Sequence, residues 1–73
     1  MNILIANYPC YASHKDKEII HILGRDFDSS GYYVGEGIRE LEFGYKNKEE
    51  AVKAAELLLS NFEAVQVSFY KAE

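Results

Sequence analysis

At 73 residues the chain has room for one small domain, and 12 Asp and Glu against 8 Lys and Arg leave a net charge of −4. That length lies near the lower limit for a fold without staples, and a single Cys excludes an internal disulfide, so packing or a partner must hold the chain together. The acidic balance and the lack of a Lys/Arg cluster count against a phosphate-binding surface, and no stretch is long or apolar enough to span a membrane.

A lone Cys fits a reducing compartment, and the first residues show neither the basic region nor the apolar run of a secretory signal, so a cytoplasmic location is expected. Nearly half the residues are apolar and Trp is absent, so the core must be drawn from Ile, Leu, Val, Ala, Phe and some of the six Tyr.

Asn2 to Tyr8 (NILIANY) reads as a strand. Ile3 and Ile5 point one way, Leu4 and Ala6 the other, as suits a strand with neighbours on both edges. Pro9 lacks the donor that a ladder needs and ends it. Ser13 then opens a helix, with Asp16 at the capping-box position in place of the usual Glu. Ile19, Ile20 and Leu23 form its apolar stripe and Gly24 its stop. The β-branched Ile19, Ile20 and Ile22 leave a strand over Lys17 to Leu23 as the competing reading. Arg25 to Ser30 is polar, and Asp28-Ser29-Ser30-Gly31 has turn composition. Tyr32-Tyr33-Val34 reads as a short strand, and Gly35-Glu36-Gly37 as a tight hairpin connection using positive φ.

The stretch from Gly37 to Tyr45 alternates with period two, the mark of a half-buried strand. Leu41, Phe43 and Tyr45 fall on one face, and Ile38, Glu40 and Glu42 on the other. Asn47 is a good N-cap with Glu50 three residues on, and Ala51, Ala54, Ala55, Leu58 and Leu59 form the buried stripe of a second helix that stops at Ser60-Asn61. Glu63 to Lys71 alternates again, with Val65, Val67 and Phe69 inward and Gln66, Ser68 and Tyr70 outward.

The order strand, helix, strand, strand, helix, strand, joined by two right-handed crossovers, predicts an α+β, ferredoxin-like βαββαβ domain over residues 1–73: one antiparallel sheet with two helices on one face. The first and third strands should be central. The covered face should hold Ile3, Ile5, Leu41, Phe43, Tyr45, Val65, Val67 and Phe69.

The RNA recognition motif shares this element order. Leu4 to Asn7 (LIAN) resembles that family's first-strand motif, and the run from Arg39 to Tyr45, followed six residues later by Ala51, resembles the frame of its third strand and second helix. Members read single strands with aromatics on the helix-free face. With Tyr45 aligned on the core aromatic that ends the third strand, the stacking positions are Glu40 and Glu42. Carboxylates there repel phosphate and offer no platform, so the resemblance extends to the superfold and not to RNA reading. Direct nucleic-acid binding would need a local patch such as Lys15, Lys17 and Arg25.

Glu36, Glu40 and Glu42 form the outstanding pattern. Two apart on a strand, Glu40 and Glu42 share a face at roughly 7 Å. With Glu36 on the adjoining turn they make an acidic strip, which reads either as a solvated sheet face or as a contact surface for a basic partner, in effect a mimic of a phosphate backbone. Tyr8, Tyr11, Tyr32 and Tyr33 should cluster around the strand ends, with one or two of them exposed, and Tyr33 and Tyr70 are placed on the open face beside the glutamates, together with Gln66 and Ser68. Paired carboxylates also serve acid–base chemistry, but that needs pocket walls for which so short a chain has little material. Cys10, His14 and His21 lack the fourth ligand of a structural zinc set, and no third group orients a Cys–His pair, so no metal, cofactor or catalytic residue is assigned. The glycines at 31, 35 and 37 match no phosphate loop.

The expected function is therefore a non-enzymatic protein-interaction module or inhibitor that uses Glu36, Glu40, Glu42, Gln66, Tyr70 and Tyr33 to bind a basic or nucleic-acid-binding protein, or a second copy of itself. In size and charge alone the chain resembles phage-encoded inhibitors of host defence such as anti-CRISPR proteins. The alternative is a ferredoxin-like dimer holding a small molecule or a minimal active site, with His14, His21, Tyr32 and Arg39 as candidates.

Overall fold

A computed structural model describes residues 1–12 and 14–72. Strand β1 (Asn2–Pro9) leads through a 3-10 turn (Cys10–Ala12) to helix α1 (Lys15–Leu23). Strands β2 (Ser29–Tyr33) and β3 (Ile38–Tyr45) form a hairpin, followed by helix α2 (Lys48–Asn61) and strand β4 (Gln66–Lys71). All four strands join one antiparallel sheet in the order β2-β3-β1-β4, so β1 and β3 are central and each strand that follows a helix is separated from the strand before it by one position.

The second half follows its local signals closely. Asn47 is extended, and its Oδ1 accepts the Glu50 N–H at 2.9 Å while its Nδ2 donates to Glu50 Oε1 at 3.1 Å. This cap satisfies one of the orphan donors of the first turn of α2. Ala51, Ala54, Ala55 and Leu58 are buried, and their small side chains let the helix lie close over the sheet. Leu59, expected in that stripe, is 55% exposed, because it has rotated past the edge of the buried face.

Lys17 to Leu23 is helix, and Gly24 ends it in the left-handed region at φ 70°, its N–H donating to the Ile20 carbonyl at 2.9 Å. The expected cap at Ser13 lies outside the described residues, and Asp16 is turned instead to Arg39. The turn assigned to Ser29–Gly31 is a correction: these residues begin β2, because pairing with Glu42, Leu41 and Glu40 overrides their turn composition. Val34 to Gly37 closes the hairpin, with Gly37 at φ 68° supplying the positive φ.

The face assigned to β1 is also corrected. Leu4, Ala6 and Tyr8 point into the core, opposite Phe43, Leu41 and Arg39 of β3, while Ile3 and Ile5 lie on the other face. Leu4, Ala6 and Tyr8 join Leu41, Phe43, Ile19, Ala54, Ala55, Leu58 and Val65 in one core, so both helices pack on the same side of the sheet. Both alternating sets of β1 are apolar at first sight, but Asn7 belongs with Ile3 and Ile5, and a polar amide marks the face away from the core. Phe69, opposite Leu4 on the helix side, is 49% exposed instead of buried, because β4 is the last strand and nothing lies beyond it.

One charged residue stands in the core row. Arg39 alternates with Leu41 and Phe43 and is only 7% exposed. Its Nη2 donates to Asp16 Oδ2 at 2.8 Å and its Nε to the same oxygen at 3.2 Å, while its guanidinium stacks 4.4 Å from the Tyr32 ring centroid. The hydrogen bonds it donates to Asp16 hold its pKa above the ordinary guanidinium value. The pair ties α1 to β3. Its charge is matched in place, so the Arg39 and Tyr32 suggested for a small-molecule site are bound to each other as structure.

Candidate functional site

The face without helices is defined by the ladder. From edge to edge, one row runs Ser29, Glu42, Ile5 and Ser68, and the next runs Gly31, Glu40, Asn7 and Gln66. Tyr33 flanks Ile38 at one end, and Tyr70 flanks Ile3 and Gly44 at the other. None of the open-face positions of the four strands is Lys or Arg.

Two hydrogen bonds organise this surface. Tyr33 on β2 donates its phenol to Glu40 Oε1 at 3.0 Å. Tyr70 on β4 reaches across β1 and donates to Glu42 Oε1 at 2.7 Å. Each phenol is thereby held protonated. The bond to Glu40 raises the pKa of Tyr33, and the bond to Glu42 raises that of Tyr70, with the carboxylate charges adding to both. The residues are about half exposed, at 48% and 47%, and Tyr70 lies directly opposite Ile3. Each carboxylate keeps its second oxygen for an outside donor.

Four of the six expected residues (Tyr33, Glu40, Glu42 and Tyr70) thus come together as two bonded pairs. Gln66 lies in the row of Glu40, and Glu36 is exposed on the hairpin turn. Beside Glu40 and Gln66, sequence reasoning missed Asn7, whose Oδ1 is covered and accepts no hydrogen bond among the described residues. The signal was available in the β1 alternation, where Asn7 interrupts an apolar set. The Tyr cluster is looser than expected: Tyr8 is buried, but Tyr11 in the 3-10 turn and Tyr32 and Tyr33 at the end of β2 are all exposed.

The remaining candidates do not converge. Cys10 lies in the 3-10 turn, His14 just ahead of α1 and the exposed His21 on α1 itself. Among the described residues, no three His, Cys, Asp or Glu side chains are grouped to hold a metal ion. The basic trio is dispersed as well. Arg25 donates to the Gly44 carbonyl at 2.6 Å and to Asp28 at 2.7 Å, and Lys15 lies over the Phe62 ring. Asp28 also accepts the Gly44 N–H at 2.6 Å, and this bond, with the Arg25 charge, keeps its carboxyl below the usual range. Among the described residues, no helix is long and apolar enough to cross a membrane. Compared with protein-family models, curated proteins and solved structures, the chain has no match.

Proposed function

We propose that this chain is a small ferredoxin-like interaction module, a single cytoplasmic domain that uses its helix-free face to bind a basic protein surface. The β4-β1-β3-β2 order supports that fold. The observation that carries the function is the pairing of Glu40 and Glu42 with Tyr33 and Tyr70 on a face whose strand positions include no Lys or Arg. The phenols hold the two carboxylates in place without neutralising them. A lysine or arginine docking there meets a carboxylate oxygen and an aromatic edge or face at once, and the ordering cost of the glutamates is already met. Ile3 and Ile5 add an apolar floor. Carboxylates about one strand repeat apart present charge as a phosphate backbone does, so a protein that handles nucleic acid is the favoured partner, and stoichiometric inhibition by occupying its phosphate-binding surface is the favoured outcome.

A sheet-to-sheet dimer enclosing a small-molecule or catalytic pocket fits less well. It would set the Glu40 and Glu42 carboxylates of two copies against each other with no basic side chain on either sheet face to offset them.

Octa-arginine titrated by calorimetry is a direct probe. The native chain should bind it in a salt-sensitive manner, and Glu40→Lys with Glu42→Lys should weaken binding at least about tenfold. The control is Glu56→Lys with Glu63→Lys, which changes net charge equally but lies away from the face, and it should bind far better than the face variant. Equal losses in the two variants would mean that net charge and not this face is responsible, and the reading would fail.

A further inference from the structure

The sheet has two free edges, and they are not alike. β2 is short and polar and carries Gly31 at its centre. β4 (Gln66-Val-Ser-Phe-Tyr-Lys71) pairs with β1 through six consecutive residues without a bulge, and it contains no proline and no carboxylate. Proteins normally blunt such an edge with charges, prolines or bulges. Here only Lys71, at the very end, provides any of these.

Beside this edge, on the helix side, a groove of about 400 Å³ opens between β4 and the first half of α2, lined by Asn2, Lys48, Ala51, Val52, Phe69, Tyr70 and Lys71. Its floor is apolar, and it includes Phe69, the core-side aromatic that the fold leaves half exposed. Its charged members are both cations, and no carboxylate lines it. Neither Lys48 nor Lys71 enters an ion pair among the described residues.

We infer that β4 and the adjoining groove form a second binding site, which takes an extended, apolar peptide segment ending in acidic residues and adds it to the sheet as a fifth strand. Backbone hydrogen bonds to the outer edge of β4 would supply register. Alternate side chains of the added strand would fall on the helix side against Phe69 and Val52, and its carboxylates would reach Lys48 and Lys71. A second copy of this chain is a poorer occupant, since the β4 edge it would offer has no acid to meet either lysine. The site shares strand β4 and Tyr70 with the open face, but it lies on the helix side and does not depend on that face's reading.

The test uses the whole chain and an acetylated hexapeptide that alternates valine and threonine and ends in two aspartates, followed by amide NMR. Saturable shifts should centre on Val67, Phe69 and Lys71, and the outward amides of β4 should exchange more slowly. The same peptide N-methylated at alternate amides should bind at least about tenfold more weakly. Lys48→Glu with Lys71→Glu, at two exposed positions, should weaken binding by a similar factor and transfer it to a lysine-ended peptide. Equal binding of the methylated peptide, shifts centred elsewhere, or no shifts would overturn the inference. So would a dimer in sedimentation that Phe69→Asp dissociates, since the edge would then belong to a second copy.

Discussion

Arg39 and Glu40 are neighbours on β3, yet their charges have opposite fates. Arg39 points into the core and is enclosed by Asp16, Tyr32 and the Gly31 carbonyl. Glu40 points out, takes one hydrogen bond from Tyr33 and keeps the rest of its capacity free. Both pair with a residue on another element, and both sit beside a tyrosine of β2. The difference is compensation: the buried charge is neutralised where it stands, whereas the exposed one is positioned but left charged. A charged pair that closes on itself serves the fold, and a charge held by a neutral donor remains available to a partner.

Substitutions at three places in the molecule separate these roles, beginning with the largest effect. Asp16→Ala leaves the Arg39 guanidinium enclosed without its counter-charge and should cost about 3 kcal/mol in denaturant unfolding, at the low end for a buried pair because Asp16 is partly exposed. Adding Arg39→Met should recover most of that loss, since an apolar side chain of similar length suits the row of Leu41 and Phe43. A double variant no more stable than Asp16→Ala would show that the pair is not what α1 relies on. Next, Asn47→Ala removes the cap of α2 and should cost about 1 kcal/mol, read as a lower denaturant midpoint with an unchanged slope.

The smallest effect on stability, and the most specific, belongs to the open face. Glu40→Gln with Glu42→Gln should leave the fold intact but move the Tyr33 and Tyr70 phenols back down toward the ordinary value of 10.0, followed by tyrosinate absorbance. In the native chain the folded-state values lie above the unfolded one. The contribution of these phenols to stability is therefore fully present below the unfolded value and lost as pH rises through the folded values. In the variant that alkaline loss should shrink. Unchanged phenol titration would mean that the two pairs do not persist in solution. Asp28 behaves in the opposite sense: its lowered carboxyl supports the fold above its ordinary value of 3.8 and ceases to as pH falls through the folded value.

Several features were legible because local chemistry decides them. The α2 cap at Asn47, the alanine stripe, the glycine stop at Gly24 and the alternation of Leu41, Phe43 and Glu40, Glu42 depend on residues a few positions apart. The outward placing of Tyr70 followed from the same period of two, whereas its bond to Glu42 and that of Tyr33 to Glu40 depend on cross-strand register. The inward orientation of Arg39 was equally implied by that period, but its counter-charge Asp16 lies 23 residues away, so no local signal marks a charge in the core row.

What the sequence by itself determined is the element order, the two alternating faces of β3 and the acidic character of one of them, since each rests on short-range periodicity and composition. Only the tertiary structure decided which apolar set of β1 is buried, that Ser29 to Gly31 pairs as a strand despite its turn composition, and that Phe69 is left half exposed at an open edge. These outcomes depend on what lies opposite or beyond a strand. Leu4 is buried because Phe43 and the helices meet it, and Phe69, in the same row, is not, because the sheet ends there.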